Sequence, residues 1–138
     1  MRLAILALAF LCLAPFAQAE TSAADRAQFQ EIISRQMAAF QADDGGTAFG
    51  FASPDLQAKF GSAAIFMEMV KHGYPPVYRP RSVQFREVIE HDVGPEQQVF
   101  VVGPDGRGYI AHYMMERQPD GSWRISGCYL EQAQDESV

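Results

Sequence analysis

Two groups of residues in this chain are of types that could do chemistry. The first is His112 with Cys128. If the strands carrying them pair as their turn predicts, the imidazole stands opposite the thiol, where it would favour thiolate and make a nucleophile. A catalytic pair also needs a third group to orient the imidazole, and the sequence brings only Gln98 near it. Two ligands fall short of the three or four that a zinc site takes. The plainer reading is a half-buried pair filling an interface, so no catalytic residue, metal or other cofactor is assigned. The second group is Tyr74, Tyr78 and Arg79, in the segment Tyr74-Pro75-Pro76-Val77-Tyr78-Arg79-Pro80. A proline-stiffened backbone there would hold aromatic and cationic groups at a pocket mouth. The competing role is mechanical, with the tyrosines stapling helices to a sheet and Arg79 and Arg81 solvated. His72 at a helix end and His91 near a turn read as surface residues. Asp43 and Asp44 read as a helix-ending pair rather than an acid/base dyad, which needs burial to separate its pKa values.

These candidates must be positioned by the elements around them. From Ser22 to Asp43, Phe29, Ile32, Ile33, Met37 and Phe40 recur at helical spacing behind a Ser22/Asp25 capping box. Asp43-Asp44-Gly45-Gly46 breaks that helix, and Thr47 to Ala52 is a short helical turn or loop. Ser53-Pro54-Asp55 starts another helix running to Phe60, with Gly61 as its stop. Ser62 opens a further one with Ala63, Phe66, Met67 and Val70 on one face and His72-Gly73 at its end. Three prolines then exclude helix from Tyr74 to Pro80. Alternating stretches follow at Arg81–Asp92, Gln97–Val102, Arg107–Arg117 and Ser122–Leu130, with Glu131–Val138 as a frayed polar tail. The fold class is α+β, N-terminal helices packed on a four-stranded antiparallel meander.

Gly103-Pro104-Asp105-Gly106-Arg107 and Gln118-Pro119-Asp120-Gly121-Ser122 both suit a three-residue hairpin loop, a type I turn closed by a left-handed glycine. Extending the second register sets Glu116 against Arg124, Met115 against Ile125 and His112 against Cys128. A slip by one residue would oppose Arg117 to Arg124 and exchange the faces of the strand. The chosen register gives a core face of Val99, Val101, Tyr109, Ala111, Tyr113, Met115, Trp123, Ile125 and Tyr129. The other face carries Phe100, Val102, Ile110, Met114 and Leu130 around Gln98, His112 and Cys128. A half-apolar sheet face marks a partner surface, and a homodimer is the commonest partner. The first strand's register stays open, because Val93-Gly94-Pro95-Glu96 permits more than one loop.

Compartment is read from the N-terminus. Arg2, the apolar run Leu3 to Ala14 and Ala17-Gln18-Ala19 form a signal peptide over residues 1–19, so the expected mature protein is an exported, periplasmic or secreted single domain over 20–138. The run is too short to remain as a permanent membrane anchor. Removing 19 of 138 residues leaves 119, and losing Arg2 moves the formal charge from −6 to −7. That acidic balance argues against nucleic acid and anionic lipid as partners. Cys12 departs with the peptide, leaving Cys128 alone, so an intramolecular disulfide is excluded. Cys128 is then either a small buried hydrophobe or a thiol that pairs outside the chain.

Gln41-Ala42-Asp43-Asp44, Phe51-Ala52-Ser53-Pro54, the Tyr74–Pro80 segment and Gly121-Ser122-Trp123-Arg124-Ile125-Ser126-Gly127-Cys128 together resemble a bacterial family, domain of unknown function 4864, over nearly the whole mature chain. The resemblance implies a cone-shaped α+β fold similar to nuclear transport factor two, SnoaL-type cyclases and ketosteroid isomerase, with a curved sheet wrapping a long helix. It transfers no catalytic residue, and fold alone does not choose between enzyme and binding module. The first expectation is a non-enzymatic exported cone-fold domain, a homodimer through the second sheet face, that binds a small apolar ligand or another protein. One alternative is a ketosteroid-isomerase-like enzyme with Glu87 as acid/base beside the inner tyrosines. Another is an assembly linked through Cys128.

Overall fold

The computed structural model describes residues 20–134, so the leader expected over residues 1–19 lies outside the described residues. Ser22 opens α1 (Ala23–Gln41) with a reciprocal pair of hydrogen bonds. The Asp25 N–H donates to Ser22 Oγ at 3.0 Å, and the Ser22 N–H donates to Asp25 Oδ2 at 3.3 Å. One stripe of α1, with Phe29, Ile33, Met37 and Phe40, is buried. The starts of α2 (Gly45–Gly50), α3 (Pro54–Phe60) and α4 (Ala63–Gly73) are each capped by a side-chain oxygen, from Asp44, Ser53 and Ser62 respectively.

The exclusion of helix from the proline segment is overturned, because Pro75–Tyr78 forms a single helical turn, α5. Pro75 and Pro76 fill its first turn, where no N–H partner is needed. The residues preceding Pro75 and Pro80 stay non-helical, Tyr74 at φ −133° and Arg79 at φ −140°.

A curved four-stranded antiparallel sheet follows in the order β1 (Ser82–His91), β2 (Gly94–Val102), β3 (Gly108–Arg117) and β4 (Trp123–Gln132). Asp92 and Val93 turn β1 into β2, so His91 pairs with Gly94. Gly94 sits at φ +134°, and a Cβ there would lie 2.9 Å from the Met115 carbonyl, so no other residue fits. The β2–β3 register agrees with the turn reading, with Val101 opposite Tyr109 and Gln98 opposite His112.

The β3–β4 register agrees only near its turn, where Glu116 pairs with Arg124 and Met115 with Ile125. Ser126 is then an extra residue in β4, a bulge whose hydroxyl donates to the Met114 carbonyl at 3.2 Å. Beyond it Tyr113 faces Cys128, His112 faces Tyr129 and Ala111 faces Leu130. The expected opposition of His112 and Cys128 is therefore wrong, and the far half of β4 has its faces exchanged. Cys128 and Leu130 pack toward the core, while Tyr129 is 52 % exposed. Glu131, expected in the frayed tail, is still within β4.

The core lies between α1, α4 and the inner sheet face, where Val99, Val101, Ala111, Tyr113, Met115 and Ile125 are buried. Trp123 meets Phe29 edge to face at 4.8 Å, and its Nε1–H donates to Asp25 Oδ1 at 3.1 Å. The start of α1 is thereby pinned to the start of β4. The loop after α2 also borders β4: the Ser53 N–H donates to the Ile125 carbonyl at 2.8 Å, and the Ile125 N–H to the Phe51 carbonyl at 2.9 Å.

Candidate functional site

A cavity of about 230 Å³ lies between the inner sheet face and α1, α3 and α4. Its walls are mostly apolar, with Phe40, Phe60, Phe66, Val70 and Ile125 among them. Most of its polar groups are already engaged. Gln36 Nε2 donates to the Ala48 carbonyl at 3.1 Å, the Tyr74 hydroxyl to the Cys128 carbonyl at 2.9 Å, and Ser126 to Met114 as above. Tyr113 is different. It is 1 % exposed, and its hydroxyl finds no oxygen or nitrogen acceptor and no well-aligned hydrogen bond, an arrangement that costs up to about 1–3 kcal/mol in a folded protein. The Cys128 thiol lies across from it, but a thiol is a weak acceptor. Burial first, and then the neighbouring thiol, keep the Tyr113 proton in place far above neutral pH.

Burial also pushes the Cys128 thiol up to about 12, against a small opposing effect of the Tyr113 hydroxyl. His112 is on the opposite face of the sheet and cannot activate it. A thiol raised from 9.0 to about 12 has a thiolate fraction about a thousandfold lower. Cys128 is therefore expected to react with an aromatic disulfide reagent at least about a hundredfold more slowly in native protein than in urea-unfolded protein. Equal rates would place the thiol in solvent.

Of the tyrosine–arginine group only Tyr74 reaches the cavity. Tyr78 and Arg79 instead close the C-terminal end of α1. The Tyr78 hydroxyl donates to the Asp43 carboxylate, and Arg79 donates to Asp43 Oδ2 at 3.2 Å and to the Phe40 carbonyl at 2.6 Å. The guanidinium also lies 4.0 Å over the Tyr78 ring. Asp43 holds a left-handed φ of +52°, and these contacts fix it there. These contacts are of the kind the mechanical reading describes. Glu87 is exposed on β1 and does not line the cavity, so an acid/base role for it there is without geometric basis.

His112 belongs to a separate polar network on the outer sheet face. Its ring stacks on Tyr129 at 4.2 Å, with 3.0 Å from Nδ1 to Glu96 Oε2 and 2.9 Å from Nε2 to Glu131 Oε2. Glu96 is buried and also takes Gln98 Nε2 at 2.9 Å and His91 Nε2 at 3.2 Å. Burial opposes charge on both central groups, but the hydrogen bonds outweigh it, raising His112 and lowering Glu96. Both ring nitrogens are engaged by carboxylates. Among the described residues no cluster of His, Cys, Asp and Glu is arranged to hold a metal. Sequence reasoning missed Glu96, read as turn, and Glu131, read as tail; their alternation with Gln98 and Tyr129 was the available signal.

The chain belongs to the family described as "Domain of unknown function (DUF4864)", which matches residues 22–138. No curated protein matches the sequence. Two solved structures resemble it. An NTF-2 like protein of unknown function from Burkholderia xenovorans is 13 % identical, over 80 % of this chain and 88 % of that one, at a TM-score of 0.48. ActVI-ORFA from Streptomyces coelicolor is 13 % identical, over 85 % and 99 %, at a TM-score of 0.49. No helix among the described residues is long and apolar enough to cross a membrane.

Proposed function

We propose that this protein is a non-enzymatic binding module that takes one small, mostly apolar molecule into the cavity and holds it by an oxygen acceptor at the Tyr113 hydroxyl. The observation that carries this reading is the buried Tyr113 hydroxyl at an apolar wall, which meets only the weakly accepting Cys128 thiol and so keeps a donor for a stronger acceptor. Among the described residues the lining contains no Asp, Glu or His to serve as acid or base. The volume of about 230 Å³ falls just below the usual range of ligand sites, about 300–1,000 Å³, which limits the occupant to a molecule of one or two rings. The proposal includes export through the leader pattern and pairing of two copies through the outer sheet face, where Phe100, Ile110 and Met114 are half-buried.

Tyr113→Phe tests the reading with the neutral carbonyl fluorophore prodan as probe. The substitution is expected to raise the stability of the empty protein by about 1 kcal/mol, because it removes the unpaired hydroxyl, and to weaken prodan binding about tenfold. A stabiliser that weakens binding marks a ligand contact. Absence of prodan binding, or equal affinity in both proteins, would overturn the reading.

A further inference from the structure

The free donors of the cavity also define the charge of its occupant, an inference that rests on the binding reading above. Gln36, Tyr74 and Ser126 each give a hydrogen to a backbone carbonyl. The donors left to meet a ligand are the second Gln36 amide hydrogen, the Tyr113 hydroxyl, which meets only the weakly accepting Cys128 thiol, and Lys59, an exposed lining residue. Lys59 stands in the last turn of α3 and is the one lining residue that is charged at neutral pH. No ion pair among the described residues involves it.

A cation beside an apolar wall attracts an anion more strongly than one in open water, because the wall lowers the local dielectric, and Asp55 one turn earlier in α3 does not close an ion pair with Lys59. The rest of the chain works the other way. With a formal charge of −6 it repels anions in general, so attraction at this rim is a local property of Lys59. Behind the rim, Phe66 packs against Phe40 at 6.0 Å and Phe60 at 5.5 Å, a wall of rings suited to a flat body.

We infer that the ligand is an apolar monocarboxylate of one or two rings, its carboxylate at Lys59, its body against Phe40, Phe60 and Phe66, and an uncharged oxygen at the Tyr113 hydroxyl. The chemistry at each end is separate, so charge and acceptor can be tested apart.

The test compares 6-hydroxy-2-naphthoate with its methyl ester, two probes sharing one body and differing in charge, by titration calorimetry on wild type and Lys59→Gln. Wild type is expected to prefer the anion about fivefold, and Lys59→Gln to abolish that preference while leaving the ester's affinity unchanged. Lys59 is exposed, so the variant keeps the fold. Equal affinity for both probes in wild type, or a preference that survives in Lys59→Gln, would overturn the charge assignment while prodan binding left the cavity reading intact. If neither naphthoate bound, the ligand class would be wrong where prodan still bound. If prodan failed as well, the cavity reading itself would fall.

Discussion

Replacing His112 by alanine is expected to destabilise the protein by about 3 kcal/mol or more, the usual cost of stranding a buried charge by removing its partner. The stranded charge is Glu96, which is 3 % exposed and would keep only Gln98 and the half-exposed His91 as donors. The same network makes stability depend on pH. Glu96 is held below its ordinary 4.5, so its contribution is complete above that value and fades as pH falls through its folded-state pKa. His112 is held above its ordinary 6.5, so its contribution is complete below that value and fades as pH rises through its folded-state pKa. Both operate together between 4.5 and 6.5, and the network is strongest in mild acid. Thermal unfolding across that window and up to about pH 9 should show wild type losing stability on the alkaline side. His112→Gln, which keeps a donor without a titrating ring, should flatten that limb. An unchanged profile in His112→Gln would move the pH dependence elsewhere.

The second large effect is expected for Phe29→Ala, at about 4 kcal/mol. Phe29 is fully buried and forms the edge-to-face partner of Trp123, so its removal opens a void where α1 meets β4. Trp123 is the single tryptophan, and its emission should shift to the red as the indole gains water. Urea unfolding followed by circular dichroism gives the stability, and fluorescence of the folded state gives the local change. A loss below about 1 kcal/mol would mean that the helix collapses onto the sheet and refills the space.

The helix starts were legible because each rests on local chemistry: Ser22, Ser53 and Ser62 cap the turns that follow them. The hairpin turns were legible for the same reason, and they carried the β2–β3 register through its full length. Ser126 was not. A bulged residue is chemically ordinary, and only its partner strand reveals that two residues oppose one. From that residue onward every facing assignment in β4 inverted, which separated His112 from Cys128 and brought His112 to Tyr129. Tyr113 was legible as an inward residue, but its lack of a partner depends on how α1, α3 and α4 stand around it. Such vacancies are properties of three-dimensional placement and have no signature in local spacing. The helical turn at Pro75–Tyr78 was missed because proline was read as a breaker, although the first turn of a helix tolerates it.

The hydrogen bonds joining Ser53 and Phe51 to Ile125 give the two borders of the sheet unequal exposure. Part of β4 has its outer backbone groups satisfied by the chain's own loop, whereas β1 has a sheet neighbour only in β2. Strand addition is therefore blocked at the start of β4, while the β1 border has no such cover among the described residues. That border carries Arg86, Glu87 and Glu90 as exposed charges, and a bulge between Phe85 and Val88 breaks its regular spacing. Both features discourage an incoming strand. The chain thus guards against edge-to-edge polymerisation by plugging the start of one border with its own loop and electrifying the other.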